Sequence, residues 1–227
     1  GYECEKSQFR EFAESVTSGG PSINLFRKLC KANNVTVVYG LPEKDDILTD
    51  VLFNSAVVIG NDGNVQGTYR KTHPFAAEIL WCRPGNDFPI FNTPFGKIGV
   101  MICWDTAFPE VSRIYAIKGA DLLVVSTNWE NPYTEDWDLM TRARAFDNTL
   151  HLVASNRIGA DKQLSWFGRS KIIDPLGKEI EALDEVVEGI IHAELDLSLT
   201  EKLRSEYYTF FKDRQPSIYD DIIKEYG

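Results

Sequence analysis

The sequence predicts an α/β sandwich, one layered domain in which helices cover the faces of packed sheets. Two observations carry that prediction. Short apolar runs with strand character recur along the chain, and between them lie stretches whose apolar residues return at helical spacing. A third observation bounds it: no internal repeat, linker or low-complexity segment divides the 227 residues, a length suited to a single domain spanning 1–227.

The elements follow in order. Pro21-Ser22 precedes INLFRKLCKANN, where Leu25, Phe26, Leu29 and Cys30 recur at helical spacing; Ser22 is placed as the N-cap and Asn33-Asn34 as the stop. VTVVYGL, VLFNSAVVIG and VQGTYRK read as strands, the last two joined by the hairpin chemistry of Asn61-Asp62-Gly63. PIFNTPFGKIGVMICWD reads as a strand pair with its turn at Pro94 to Gly96. Val111, Ile114, Tyr115 and Lys118 then mark a helix closed by Gly119 at C′. DLLVVST is continuously apolar, as a strand buried on both faces should be. Trp137, Met140, Ala143, Phe146 and Leu150 line one face of a second helix. HLVASN is a further strand, SKIIDPLGKEIEAL folds back at its Pro-Leu-Gly turn, and GIIHAELDL supplies one more strand. The tail, 199–227, is polar and aromatic and partly helical, and its tyrosines and phenylalanines predict that it docks on a neighbouring subunit.

Composition narrows the function. Hydrophobic residues make up 43% of the chain and charged ones 26%, ordinary for a globular protein with a packed core. Lys plus Arg number 24 against 34 Asp plus Glu, a formal net charge of −10. That balance, with no basic stripe, excludes nucleic acid as a partner, because phosphate binding draws its affinity from clustered cations. No apolar run approaches the ~20 residues of a membrane span, and no signal peptide opens the chain. The four cysteines, Cys4, Cys30, Cys82 and Cys103, lie far apart and form no CxxC pair. Reduced thiols in a cytoplasmic protein are therefore expected, and a zinc site or a disulfide framework is not.

One of those thiols has a suggestive setting. In KIGVMICWDTAFPE, Cys103 ends an apolar strand and is followed within a few residues by a helix. Backbone N–H groups and a helix dipole at such a junction favour the thiolate, although a small buried hydrophobe closing a core strand would look the same. Cys30 sits in a helical stripe and reads as core. A nucleophile needs partners. The three histidines are His73 in a loop, His151 at a strand start and His192 in a late strand, and none carries a local Cys–His protease signature. Lys71 and Glu78 in GTYRKTHPFAAEILWCRPG pair better with Cys103. An ammonium at a strand end can stabilise the oxyanion formed when a thiolate adds to a carbonyl, and Glu78 can hold that ammonium or position a water. Each alone could equally be a solvated surface charge.

Seven segments together carry a family resemblance. YRKTHPF, E-x-x-x-x-x-P-G, GVMICWDTAFPE, VSTNW, RARAFDN, ASNR and FGRSKIIDPLGK occur in the order and spacing of the nitrilase superfamily of carbon–nitrogen hydrolases. The likeness runs from Gly1 to about Tyr219 and is nearest to the aliphatic amidase and N-carbamoyl amide hydrolase branches, whose tails resemble KDRQPSIY. The resemblance implies a four-layer α-β-β-α sandwich and a Glu–Lys–Cys triad. In it Cys103 is the nucleophile, Lys71 the oxyanion-stabilising cation and Glu78 the additional glutamate. Trp104 would supply a backbone N–H to the oxyanion, Asn128 and Trp129 a pocket-lining loop, and Phe75 a pocket wall. Gly1-Tyr2 matches a pair that follows the general-base glutamate in this family. The base, with the first strand and helix, is therefore expected upstream of Gly1, and Glu3 and Glu5 lie on the wrong side of that pair to serve. Asp147 stands where relatives carry Glu. The reaction implied is hydrolysis of a small amide to carboxylic acid and ammonia through a thioester, with no metal or organic cofactor needed, by a homodimer or larger homo-oligomer. A nitrile or an N-carbamoyl substrate is the enzymatic alternative, and a non-catalytic scaffold keeping the fold is the alternative of another class. WDTAFPE after the nucleophile, in place of a W-E-N pattern, favours the amide over the nitrile.

Overall fold

The computed structural model describes residues 6–225 except Thr49 and Glu185, so the expectations for Gly1-Tyr2, Glu3, Cys4 and Glu5 lie outside the described residues. Two helices open the chain, α1 (Lys6–Phe12) and α2 (Pro21–Asn33). A three-stranded antiparallel sheet follows in the order β1 (Val37–Lys44), β2 (Leu52–Ile59), β3 (Val65–Arg70). Its hairpin turns at Gly60 to Asn64, as the Asn-Asp-Gly sequence predicts.

The larger sheet has six strands: β4 (Ile90–Thr93), β5 (Gly96–Ile102), β6 (Leu122–Thr127), β7 (His151–Asn156), β10 (Lys171–Ile173) and β11 (Glu179–Ala182). Its spatial order is β11-β10-β7-β6-β5-β4, and β5, β6 and β7 run parallel in its centre. Two crossover helices make that possible, α3 (Pro109–Ile117) between β5 and β6 and α4 (Thr134–Asn148) between β6 and β7. Gly119, at φ +84°, ends the first where the sequence places the stop. Gly99 lets α3 approach β5, since a Cβ there would come within 2.5 Å of the Tyr115 ring.

The sheets pack face to face. Ala56, Val58 and Tyr69 of the small sheet join Val100, Ile102, Leu123 and Val125 of the large one in one core cluster, which α3 and α4 complete through Val111, Tyr115 and Trp137. On the opposite face of β2, Val57 and Ile59 pack with Leu41 against Ile23 and Cys30 of α2. The layers thus run helix, sheet, sheet, helix, as the family resemblance implies. β2 is apolar on both faces because it lies between two layers.

Several sequence expectations need correction. The N-terminus of α2 is capped not by Ser22 but by Glu14, whose carboxylate accepts the backbone N–H groups of Ser22 and Ile23. Leu25 and Leu29 face outward, and the buried side of that helix carries Ile23 and Cys30. On α4 the buried face is Trp137, Thr141, Arg144, Ala145 and Asn148, while Phe146 is 38% exposed. Polar side chains occupy that face because each is hydrogen-bonded there, Arg144 to the Thr106 and Ala107 carbonyls, Asn148 to the Ser112 hydroxyl and Thr141 to the Trp137 carbonyl of its own helix, so apolar spacing misjudges its direction. GIIHAELDL forms no strand, because no strand of this chain pairs with it among the described residues, and Ile190 is 94% exposed. The hairpin β8 (Ile158–Asp161) and β9 (Leu164–Phe167) is an element that the sequence reading lacks. The tail is partly helical, with α5 (Ser198–Glu206) and α6 (Phe210–Asp213). It packs in part on its own chain: Phe146 meets Tyr208 and Phe210, and Arg204 donates to the Asn148 carbonyl.

Candidate active site

The parallel strands bring their C-terminal ends to one edge of the sandwich, where open α/β sheets place ligands. Cys103 follows β5, Asn128 and Trp129 follow β6, and Asn156 ends β7. Cys103 begins a single 3₁₀ turn, Cys103–Ala107, and holds φ at +48°. A left-handed conformation at a non-glycine residue costs on the order of 1–2 kcal/mol and persists only where surrounding structure enforces it. The sharp strand-to-turn reversal lifts the thiol out of the strand, while its side chain remains almost wholly buried.

Lys71 arrives from the other sheet, one residue beyond β3, and is 1% exposed. Its Nζ lies 2.6 Å from Glu78 Oε2. Glu78 sits in a 3₁₀ turn, Ala76–Leu80, and is 2% exposed, so it is not the solvated carboxylate that a surface reading would make it. Its Oε2 also accepts the Phe75 backbone N–H at 2.6 Å, and its Oε1 accepts Asn54 Nδ2 at 3.0 Å. Burial pulls the Lys71 ammonium down, but the negative charges of Cys103, Glu78 and Asp105 outweigh it and leave the group above its ordinary value. The lysine is therefore a fixed cation beside the thiol.

Two cavities meet at Cys103. One, of about 240 Å³, is lined by Cys103 with Glu78, Asn54, Asn128, Ser126 and Trp81. The other, of about 220 Å³, is lined by Cys103, Phe75, Trp104, Trp129, Tyr133 and Glu130. Every predicted pocket residue thus touches one cavity or the other: Phe75, Trp104 and Trp129 on the aromatic side, Asn128 on the polar side. Phe75 and Trp104 have ring centroids 5.0 Å apart, and Trp104 and Trp129 5.9 Å. Trp81 stacks on Phe9 at 4.0 Å, and Trp137 is core. The Glu130 carboxyl is held above its ordinary range by burial in the aromatic cavity.

The remaining titratable candidates fall elsewhere. His73 Nδ1 lies 3.0 Å from Asp105 Oδ1, and its ring stacks on Phe108 at 3.8 Å. His151 is buried at the start of β7, where desolvation depresses its pKa. His192 lies in the irregular segment before α5. The Cys82 thiol is pushed up to about 12 by burial and donates to the Glu78 carbonyl at 3.3 Å; the Cys30 thiol is raised by burial among core residues.

Three residues that sequence reasoning missed hold the site's loops. Arg144 donates from Nε to the Thr106 carbonyl and from Nη2 to the Ala107 carbonyl, tying α4 to the turn that begins at Cys103. Asp147, the departure from the family's Glu, pairs with Arg144 at 3.3 Å. Asn156 accepts the Trp129 N–H at 2.7 Å and donates to the Trp129 and Gly168 carbonyls, fixing the loop after β6. Asp105, two residues past Cys103, is fully buried and accepts five hydrogen bonds. A charged or amide side chain inside an otherwise apolar segment was the available signal for Asp105 and Asn156, whereas Arg144 stands in the polar stretch TRARAFDN, which gives no such signal.

Comparison with known proteins gives a consistent picture. The profile described as carbon-nitrogen hydrolase matches residues 1–205. A probable nitrilase of Schizosaccharomyces pombe is 53% identical over 223 residues, covering 98% of this chain and 81% of that protein. An N-carbamoylputrescine amidase of Arabidopsis thaliana is 32% identical over 245 residues, covering 98% and 81%. Among solved structures, a carbon-nitrogen hydrolase from Helicobacter pylori superposes with a TM-score of 0.89 at 29% identity, over 99% of this chain and 82% of that one.

Proposed function

The chain belongs to the carbon–nitrogen hydrolase family of the nitrilase superfamily and is a hydrolase of carbon–nitrogen bonds, and from that premise we propose that it cleaves a small amide to a carboxylic acid and ammonia through a thioester on Cys103. The observation that carries this reading is the buried Lys71–Glu78 pair, 2.6 Å long, set beside a strained cysteine that lines two cavities. A buried ammonium is costly, and a fold that keeps one next to a thiol has a use for positive charge there.

In the proposed reaction a general-base glutamate, which the resemblance places ahead of Gly1, takes the Cys103 proton. The thiolate attacks the amide carbon. Lys71 and the Trp104 backbone N–H stabilise the oxyanion, and one such donor is worth ~3 kcal/mol of barrier. The glutamate returns its proton to the departing nitrogen, ammonia leaves and the thioester remains. Water, deprotonated by the same glutamate, then releases the acid. Glu78 acts by holding Lys71, whose ammonium and the Phe75 N–H fill one of its oxygens, while Asn54 takes a single position on the other, in a residue that lines the polar cavity. Cavities of about 240 and 220 Å³ suit a small acyl group, and Phe75, Trp104 and Trp129 give it apolar walls.

Two enzymatic alternatives use the same groups. The name of the S. pombe relative favours a nitrile, and that of the Arabidopsis relative an N-carbamoyl compound. Assays of an amide beside its nitrile separate the first, and carbon dioxide release identifies the second. The segment 189–197 pairs with no strand among the described residues and leaves Ile190 94% exposed, which supports pairing with a second copy and a dimer or larger homo-oligomer as the working form. Sedimentation at 25.7 kDa would count against it.

The decisive experiment is intact-mass spectrometry of the protein during exposure to a panel of small amides. A transient acyl adduct that maps to Cys103 and is absent from Cys103→Ala supports the thioester and names the acyl group. Ammonia release by Cys103→Ala at the parent rate, or turnover with acylation elsewhere, overturns the assignment.

A further inference from the structure

Cys103 and Lys71 come from different sheets, so something must set the distance between them. The backbone nearest each leads to the same side chain. Asp105 Oδ2 accepts the Ile102 N–H at 3.0 Å, the peptide immediately before Cys103, and the Tyr69 hydroxyl at 2.8 Å. Its Oδ1 accepts the Thr72 hydroxyl at 3.0 Å, the His73 N–H at 3.1 Å and His73 Nδ1 at 3.0 Å. Tyr69 and Thr72 flank Lys71 at the end of β3, and Ile102 ends β5. We infer that Asp105 is a positioning residue, a carboxylate clamp that fixes the cation after β3 against the nucleophile after β5.

The chemistry of the clamp suits that role. A carboxylate offers about four lone-pair directions, and five donors fill them from both sheets. At zero exposure no water competes for those positions. Because both carboxylate oxygens only accept, the contact with His73 is a hydrogen bond in the tautomer that carries its proton on Nδ1, a nitrogen that also lies 2.9 Å from Thr72 Oγ1, and the stacked Phe108 ring holds the imidazole there. Burial and the Asp105 charge raise the Tyr69 hydroxyl far above its ordinary range, so it stays a donor at any working pH. An amide in place of the carboxylate would aim an NH₂ group at either the Ile102 or the His73 N–H, neither of which can accept. Asp105→Asn therefore preserves volume and removes one side of the clamp.

The inference rests on the proposed roles of Cys103 and Lys71, and the test separates the two claims. The readout is the pH midpoint of Cys103 alkylation by iodoacetamide, measured with amide turnover on the full chain. The ammonium favours the thiolate, and at an effective dielectric near 20 each ångström it retreats from a separation of about 4 Å raises that midpoint by roughly half a unit. Asp105→Asn also removes a buried negative charge near the thiol, which by itself lowers the midpoint, so a rise in that variant reads Lys71 retreat in excess of that effect; kcat should fall about 100-fold, with KM changed less than threefold. Tyr69→Phe combined with Thr72→Val removes one donor from each oxygen but keeps the charge, and should raise the midpoint without this offset. A residue that merely stabilised the fold would lower the melting temperature and leave the midpoint of that double variant in place, and that result overturns the inference. Lys71→Met is the control: a raised midpoint there with none in the double variant defeats the clamp alone, while no change in Lys71→Met defeats the site reading itself. Should Asp105→Asn not fold, the double variant carries the test.

Discussion

Removing Glu78 tests the electrostatic logic of the site most directly. In Glu78→Ala the Lys71 ammonium, 1% exposed, loses its partner at 2.6 Å, and the Phe75 N–H and Asn54 amide lose their acceptors. Breaking a buried ion pair from one side costs about 3–5 kcal/mol, because it strands a charge away from water. At roughly 2–4 °C per kcal/mol for a domain of this size, melting should fall by about 6–20 °C. Glu78→Gln keeps an acceptor for Lys71 and should cost less than half as much. The diagnostic variant is the double Lys71→Met, Glu78→Ala, which removes the stranded charge along with its partner. It should melt above Glu78→Ala, with a coupling energy on the order of 2 kcal/mol from the double-mutant cycle. Calorimetry or denaturant unfolding reads the parent, Glu78→Gln, the two single variants of the cycle (Glu78→Ala and Lys71→Met) and the double. Strict additivity, or a Glu78→Ala protein that melts within about 2 °C of the parent, would refute the account of an uncompensated buried cation.

Four further outcomes follow from the same geometry. Brief iodoacetamide treatment at neutral pH should label Cys103 ahead of Cys82 and Cys30, whose thiols burial raises, Cys82 to about 12; peptide mapping that finds Cys82 labelled first would contradict this. Lys71 is held above its ordinary value, so the stability it contributes is present below its unfolded pKa and lost as pH rises through the folded one. The parent should accordingly lose stability more steeply than Lys71→Met on alkaline titration. Glu130 has the opposite consequence: a raised carboxyl pKa means the charged form is disfavoured in the fold, so Glu130→Gln should stabilise the protein at neutral pH, with the gain vanishing as pH falls below the unfolded pKa. Arg144→Met should destabilise by about 2 kcal/mol through the orphaned Thr106 and Ala107 carbonyls, and should slow turnover because the turn beginning at Cys103 loosens.

Local pattern made much of the frame legible. Strand runs with turn chemistry at Asn61-Asp62-Gly63, and a helix stopped at Gly119, depend on interactions within a few residues, and they fell where expected. The helix faces were misjudged where packing is polar. Arg144 and Asn148 look solvent-facing in sequence, yet they face inward because backbone carbonyls of the Thr106–Ala107 turn and the Ser112 hydroxyl await them. GIIHAELDL has strand composition, but a strand requires an edge to pair with, and composition cannot report one. The same limit applied to Lys71 and Glu78. Seven residues apart, they could have been two surface charges, and their proximity to Cys103 was read from resemblance and not from spacing.

What spacing could not supply is the convergence of two sheets. Cys103 and Lys71 are 32 residues apart in sequence and end strands of different layers, so their proximity is a property of the sandwich interface. Face-to-face sheet packing alone leaves freedom to slide, since apolar side chains such as Val58 and Val100 tolerate small shifts. Directional bonds remove that freedom. Asp105 ties the end of β3 to the end of β5, Arg144 ties α4 to the turn that follows β5, and Asn156 ties the loop after β6 to the segment after β9. The core therefore brings the site's elements near one another, and a few buried polar side chains fix their separation. Function should be more sensitive than stability to loss of those bonds, because an ammonium displaced by an ångström still fits the cavity but stabilises developing charge less well.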